Sequence, residues 1–203
     1  ANIHLVVVCN PKESDSEKAE NSKLQIEAAV SAINTLRKKE IVLTWVQLPG
    51  PAGWTGAVNS GMSAVNAGRG FPEHVVIMND DILVTSGWLV RMETAFDTEN
   101  IHLRSELFTY GEQYLEGDGR PAAGYGRIGM VGPVSANVAA SQCIAPPMAR
   151  VPASQLFTMS PDSELEAWAN MHGEKNDGIV MSADFLSGFC TMYTRDCLEA
   201  VCG

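Results

Sequence analysis

"VVIMNDDILVTSGWL", residues 75 to 89, decides how this chain is read. Val75 to Met78 have the composition of a buried strand. Asn79, Asp80 and Asp81 follow, and apolar residues resume at once with Ile82 and Leu83. Aspartate is poor in strands and costly to bury as a charge. Two adjacent carboxylates at a strand end therefore ask for a metal ion, or for the backbone amides of a solvated turn. On these residues alone both readings stand. A strand is expected over 75–84.

The pattern repeats on the N-terminal side. "IHLVVVCN" (3–10) is an apolar strand ending in polar residues, and "PKESDSEKAENS" is a solvated turn with Ser14 and Glu17 at capping-box spacing. Ile26, Ala29, Val30, Ile33 and Leu36 recur at helical spacing and predict a helix over about 16–38. "IVLTWVQL" (41–48) returns to strand composition, and the prolines and glycines of "PGPAGWTG" end it. "GAVNSGMSAVNAG" (56–68) predicts a helix of small residues, suited to close packing on a sheet. "SGWLVRMETAF" (86–96) predicts a third helix with Ser86 as its N-cap.

Three strand–helix alternations predict an α/β domain with a largely parallel sheet. In such sheets ligands bind beyond the carboxyl ends of the strands. Asn10, Pro49 to Trp54, and Asn79 to Asp81 all fall at such ends. From 100 to 180 the pattern weakens into stretches rich in glycine and proline. "IGMVGPVSANV" (128–138) has room for a short strand, "SELEAWANMHGE" (163–174) reads as a helix, and "SADFLSGFCTMYTRDCLEAV" (182–201) as strand then helix.

Composition narrows the functions. With 203 residues the chain can bury one substantial core, and 45% hydrophobic with 19% charged residues fits a soluble globular domain. No apolar run reaches the ~20 residues of a membrane span, and no signal-peptide pattern opens the chain. The missing initiating Met points to processing or trimming. The five cysteines are odd in number, and neither they nor the four histidines have zinc-site spacing. Reduced thiols and a cytoplasmic location are expected. A net charge of −10 without a basic stripe argues against a nucleic-acid partner. A small anionic ligand remains compatible where a cation or backbone amides intervene.

The motifs in combination resemble the family 2 glycosyltransferases of the GT-A fold. The resemblance rests on the small-residue helix with Gly56, Asn59 and Gly61, then Asn79-Asp80-Asp81 in the place of an Asp-x-Asp-type motif, then Gly87-Trp88-Leu89. "VVVCN" is similar to the family's opening strand with its terminal Asn10, and "FLSGFCTMYTRDCLEAV" (185–201) to its acceptor-side segment. The resemblance implies one domain over 1–203, a Rossmann-like three-layer sandwich with a mostly parallel central sheet. A nucleotide-sugar-binding half would run to about residue 98, with an incomplete acceptor-side half over 99–203. It implies transfer of a sugar from a nucleotide-diphosphate donor to a sugar, lipid or protein acceptor, with Mg²⁺ or Mn²⁺ on the diphosphate. Asp81 would be the principal metal ligand and Asp80 the weaker one. Asn79 would stand where many members have the first Asp, Asn10 would lie near the nucleotide, and Asn59 near the donor pocket.

Two departures from the family pattern matter. The second strand ends "WVQLPGP" with no acid for the nucleoside, leaving Gln47 or Trp54 to hydrogen-bond or stack on the base. The family's general base would lie beyond Gly203, so the acceptor side is expected to be incomplete, with Asp184 the one nearby acid to nominate. Two alternatives are a nucleotide-sugar-binding fragment without turnover and a sugar nucleotidyltransferase. The latter needs a glycine-rich basic loop after the first strand, and "CNPKESDSEK" has no glycine.

Overall fold

The computed structural model describes residues 3–11, 16–37, 40–67, 70–97, 101–102, 128–134, 164–176, 180–181 and 186–202. The chain is mixed α/β. It divides into two compact units, Ala1–Pro72 and Glu73–Gly203.

The first unit contains β1 (Ile3–Cys9), α1 (Ser16–Arg37), β2 (Ile41–Gln47) and α2 (Gly53–Asn66). Strands β1 and β2 pair in parallel, with Ile3 opposite Ile41 and Cys9 opposite Gln47. In a pleated pair, Val8 and Leu43 then fall on opposite faces. Gly61 of α2 sits over Val8: a Cβ there would lie 3.0 Å from the valine's Cγ2. On the other face, α1 residues Val30, Ser31 and Asn34 line a shallow groove with Leu43. The two helices thus sandwich the strands. Asn34 pins α1 to the start of β2: its Oδ1 accepts from Ile41 N–H at 2.8 Å and its Nδ2 donates to Ile41 C=O at 3.0 Å.

The helix expected over 56–68 begins three residues earlier, at Gly53. Gly61 explains its close seat on β1, and Gly56 serves the helix start: a Cβ there would meet the Cβ of the N-cap residue Ala52 at 2.6 Å.

The second unit contains β3 (His74–Met78), α3 (Trp88–Ala95), β4 (Ile101–His102), β5 (Met130–Val131), α4 (Glu164–Lys175), β6 (Val180–Met181), β7 (Cys190–Thr194) and α5 (Arg195–Cys202). The parallel expectation holds for β1 with β2, and for the two-residue pair β4 and β6. The three-stranded sheet, in order β3-β7-β5, is antiparallel throughout. Strand β7 lies between the other two and is the most buried strand of the sheet. Cys190, Thr191 and Met192 are buried in succession, and the Thr191 hydroxyl is satisfied by the Ser187 carbonyl at 3.3 Å.

Met92, Val131, Cys190 and Met192 form the core of this unit, with Ile82, Trp88, Leu89, Phe96 and Phe189 packed around them. Thr194 closes β7 and caps α5, its Oγ1 accepting from Cys197 N–H at 3.3 Å. Strand β3 ends at Met78 rather than continuing to 84. The N-cap of α3 is Gly87, not Ser86. Gly87 has φ 75°, and its backbone needs the left-handed conformation that glycine adopts freely.

Cys9, Cys190 and Cys197 are free thiols. Burial pushes the Cys190 thiol from its ordinary 9.0 up to about 11. The unfolded thiol ionises first as pH rises, so the stability this group contributes is intact below pH 9 and is lost between 9 and about 11. The expected loss across that window is on the order of 2 kcal/mol. Denaturant unfolding across the window should find it, and Cys190→Ala should reduce the dependence to what remains from Tyr193, whose phenol burial also pushes up.

Candidate functional site

In the first unit the loop between β2 and α2 is held by Asn10. Its Oδ1 accepts from Ala52 N–H at 2.8 Å, and its Nδ2 donates to Gly53 C=O at 3.2 Å. Both polar atoms of the amide are thereby engaged with the loop backbone. Asn10 shapes the corner at the end of β1. Each bond contributes about 0.5–1.5 kcal/mol. Asn10→Ala is therefore expected to lower stability by about 1–2 kcal/mol, read by thermal unfolding, while a conservative change on exposed α1 such as Glu20→Gln leaves it unmoved.

Trp54, in the first turn of α2, is 53% exposed beside that loop. Asn59 is also exposed, but five residues further along it is rotated by about 140° around the helix axis. The two side chains leave different faces of α2, so Asn59 does not join Trp54 and Asn10. At the end of β2 the Gln47 amide is engaged locally, its Oε1 accepting from the Trp45 indole at 3.2 Å and its Nε2 donating to Leu48 C=O at 3.3 Å.

In the second unit, the sequence question posed by Asp80 and Asp81 has a local answer. They form an exposed turn immediately after β3, and Ile82 then returns to the core. The apolar resumption after the carboxylates is one anchoring residue, since Leu83 and Val84 are exposed. The turn is fixed at its start by the antiparallel sheet. Met78 lies opposite Cys190, and one step further Asn79 N–H donates to Phe189 C=O at 2.9 Å. Phe189 itself packs on the core, and the Thr191 hydroxyl holds the Ser187 carbonyl, so the segment 186–189 is ordered where the carboxylates emerge. At the far end of the loop, Ser86 N–H donates to both carboxylate oxygens of Glu166, each at 3.1 Å.

The carboxylate-bearing loop and the "LSGF" segment are therefore neighbours, although about 105 residues separate them along the chain. Neither Phe189 nor Glu166 is visible as a site residue in the sequence. Their partners are distant in the chain, and each contact has a backbone group on at least one side, which leaves no composition signal.

Among the described residues, no basic side chain pairs with Asp80 or Asp81, and no group of three or more His, Cys, Asp or Glu side chains converges. Two exposed adjacent carboxylates suit a Mg²⁺ or Mn²⁺ that takes its remaining ligands from phosphate and water. They do not suit a cation held by protein alone. Asp184 lies outside the described residues. No described helix is long and apolar enough to cross a membrane. Comparison with protein-family models, with curated proteins and with solved structures finds no match.

Proposed function

We propose that this chain is a glycosyltransferase domain of GT-A-like, three-layer architecture. In this reading it binds a nucleotide-diphosphate sugar through a divalent cation and presents the sugar to an acceptor. The observation that carries the reading is the pairing of Met78 with Cys190 and of Asn79 with Phe189. It joins the Asn79-Asp80-Asp81 turn to the segment that resembles the acceptor side of family 2 glycosyltransferases. A parallel β7 would have carried that segment to the opposite end of β3.

In the proposed reaction the bond from the anomeric carbon to the diphosphate oxygen breaks and the acceptor oxygen bonds to that carbon. The acceptor's proton passes to a base. A Mg²⁺ or Mn²⁺ held by Asp81, with Asp80 as the weaker ligand, would neutralise charge on the departing diphosphate. Asn79 holds the turn to the neighbouring strand through its backbone.

Incubation with a panel of nucleotide-sugars and Mn²⁺ tests the reading, with release of nucleoside diphosphate as the expected product. Pyrophosphate formed from a nucleoside triphosphate and a sugar phosphate would instead identify a nucleotidyltransferase. Metal-dependent binding with no release would identify a binding module. Neither binding nor turnover with any donor would overturn the proposal.

A further inference from the structure

The loop Asp80–Thr85 is tied at both ends by segments remote in sequence. Asn79 N–H is held by Phe189 C=O at 2.9 Å, and Ser86 N–H by the Glu166 carboxylate at 3.1 Å to each oxygen. The first tie belongs to the sheet and follows from strand pairing. The second does not: it is a side chain of α4 reaching the backbone that leads into α3.

The contact is not isolated. Gly173, seven residues after Glu166 and hence on the same face of α4, lies against the Arg91 guanidinium, the flexible end of which would have to move for any added side chain. Two positions on one stripe of α4 therefore meet the start of α3, at Ser86 and at Arg91. At Gly173 the neighbour is the flexible tip of Arg91, whereas the Glu166 carboxylate reaches the backbone itself. A hydrogen bond to an ionised acceptor is roughly twice as strong as a neutral one. The loop it restrains carries Asp80 and Asp81 and has one apolar anchor of its own, Ile82.

We infer that Glu166 is a positioning residue for the Asp80–Asp81 turn, setting the geometry in which the two carboxylates receive a divalent cation and diphosphate. This rests on the proposed donor-binding role of that turn and extends it to a residue about 85 positions downstream of Asp81. Ligand-bearing segments are commonly held from behind in this way, and loss of such a supporting partner typically costs about 10–100-fold in metal affinity.

The test uses the full chain as wild type, Glu166→Ala and Glu166→Gln, with two readouts. The first is amide hydrogen exchange over the loop, with β1 as internal reference. Glu166→Ala is expected to speed exchange at Ser86 and the preceding loop about tenfold or more, while β1 is unchanged. Glu166→Gln retains an acceptor oxygen without the charge and is expected to fall between wild type and Glu166→Ala.

The second readout is Mn²⁺ affinity in the presence of UDP or GDP, followed by the Mn²⁺ electron-spin signal. Glu166→Ala is expected to weaken it about 10–100-fold, with substantial recovery in Glu166→Gln. Equal impairment of the two variants would mean that the carboxylate acts by its charge, and would overturn positioning. Unchanged exchange in Glu166→Ala would overturn the inference whether or not any ligand binds. Faster loop exchange in a chain whose wild type binds no Mn²⁺ with either nucleotide would retain Glu166 as the anchor of the turn and remove the donor-binding reading instead.

Discussion

Asp81→Ala is expected to abolish the Mn²⁺-dependent part of UDP or GDP binding. The expected loss exceeds the ~10–100-fold that removing a mere supporting partner of a metal ligand costs. The argument is electrostatic. A chain with net charge −10 repels a diphosphate, and Asp80 and Asp81 add two carboxylates at the point of approach. A cation between the two sets of oxygens converts that repulsion into attraction, so metal and nucleotide are expected to bind with strong mutual coupling. Without metal, nucleotide affinity should be weak and nearly indifferent to Asp81→Ala. Asp80→Ala is expected to show a smaller version of the same loss. Calorimetric titration of each variant with UDP and GDP, with and without Mn²⁺, measures all of these. Equal affinity with and without metal in the wild type would remove the metal from the mechanism.

Met192→Ala is expected to have the largest effect on stability, a loss of about 2–5 kcal/mol. Met192 is 2% exposed, at the centre of β7, with β3 on one side and β5 on the other. Truncation removes its buried methylenes and leaves a cavity on the sheet face, among Met92, Val131 and Val76, which the strand pairing keeps from collapsing fully. On the neighbouring strand Met130→Ala serves as control: that residue is 40% exposed, and its change should stay within about 0.5 kcal/mol. Because the residue just before β7, Phe189, supplies the carbonyl that holds Asn79, Met192→Ala should loosen the Asn79 amide in hydrogen exchange along with the global loss. Denaturant unfolding of the two variants gives the comparison directly.

The local elements of the chain were legible in advance because their signals are local. The apolar run Ile3–Cys9, the helical spacing of Ile26, Val30 and Ile33, and the return to strand at Ile41 each lie within one element and appear where expected. The small residues of α2 announced close packing on a sheet, and Gly61 supplies it against Val8. Errors fell where neighbours in space decide. Residues 79–84 have strand-like composition, but Ile82 is consumed by the core while Leu83 and Val84 face outward. Ser86 has the composition of an N-cap, yet its amide belongs to Glu166 and the cap falls to Gly87, whose left-handed backbone starts the helix.

The sequence by itself determined that the chain alternates strands and helices, that two carboxylates stand at the end of a core strand, and that Asn10 ends the first strand. Each follows from the periodicity or chemistry of residues adjacent in the chain. Only the tertiary structure decided that β7 runs antiparallel to β3, that Phe189 therefore meets Asn79, and that Glu166 holds Ser86. Strand direction and register depend on which apolar faces can be buried together across about a hundred residues of intervening chain. Backbone hydrogen bonds then complete the contact, and these are available to every residue type alike.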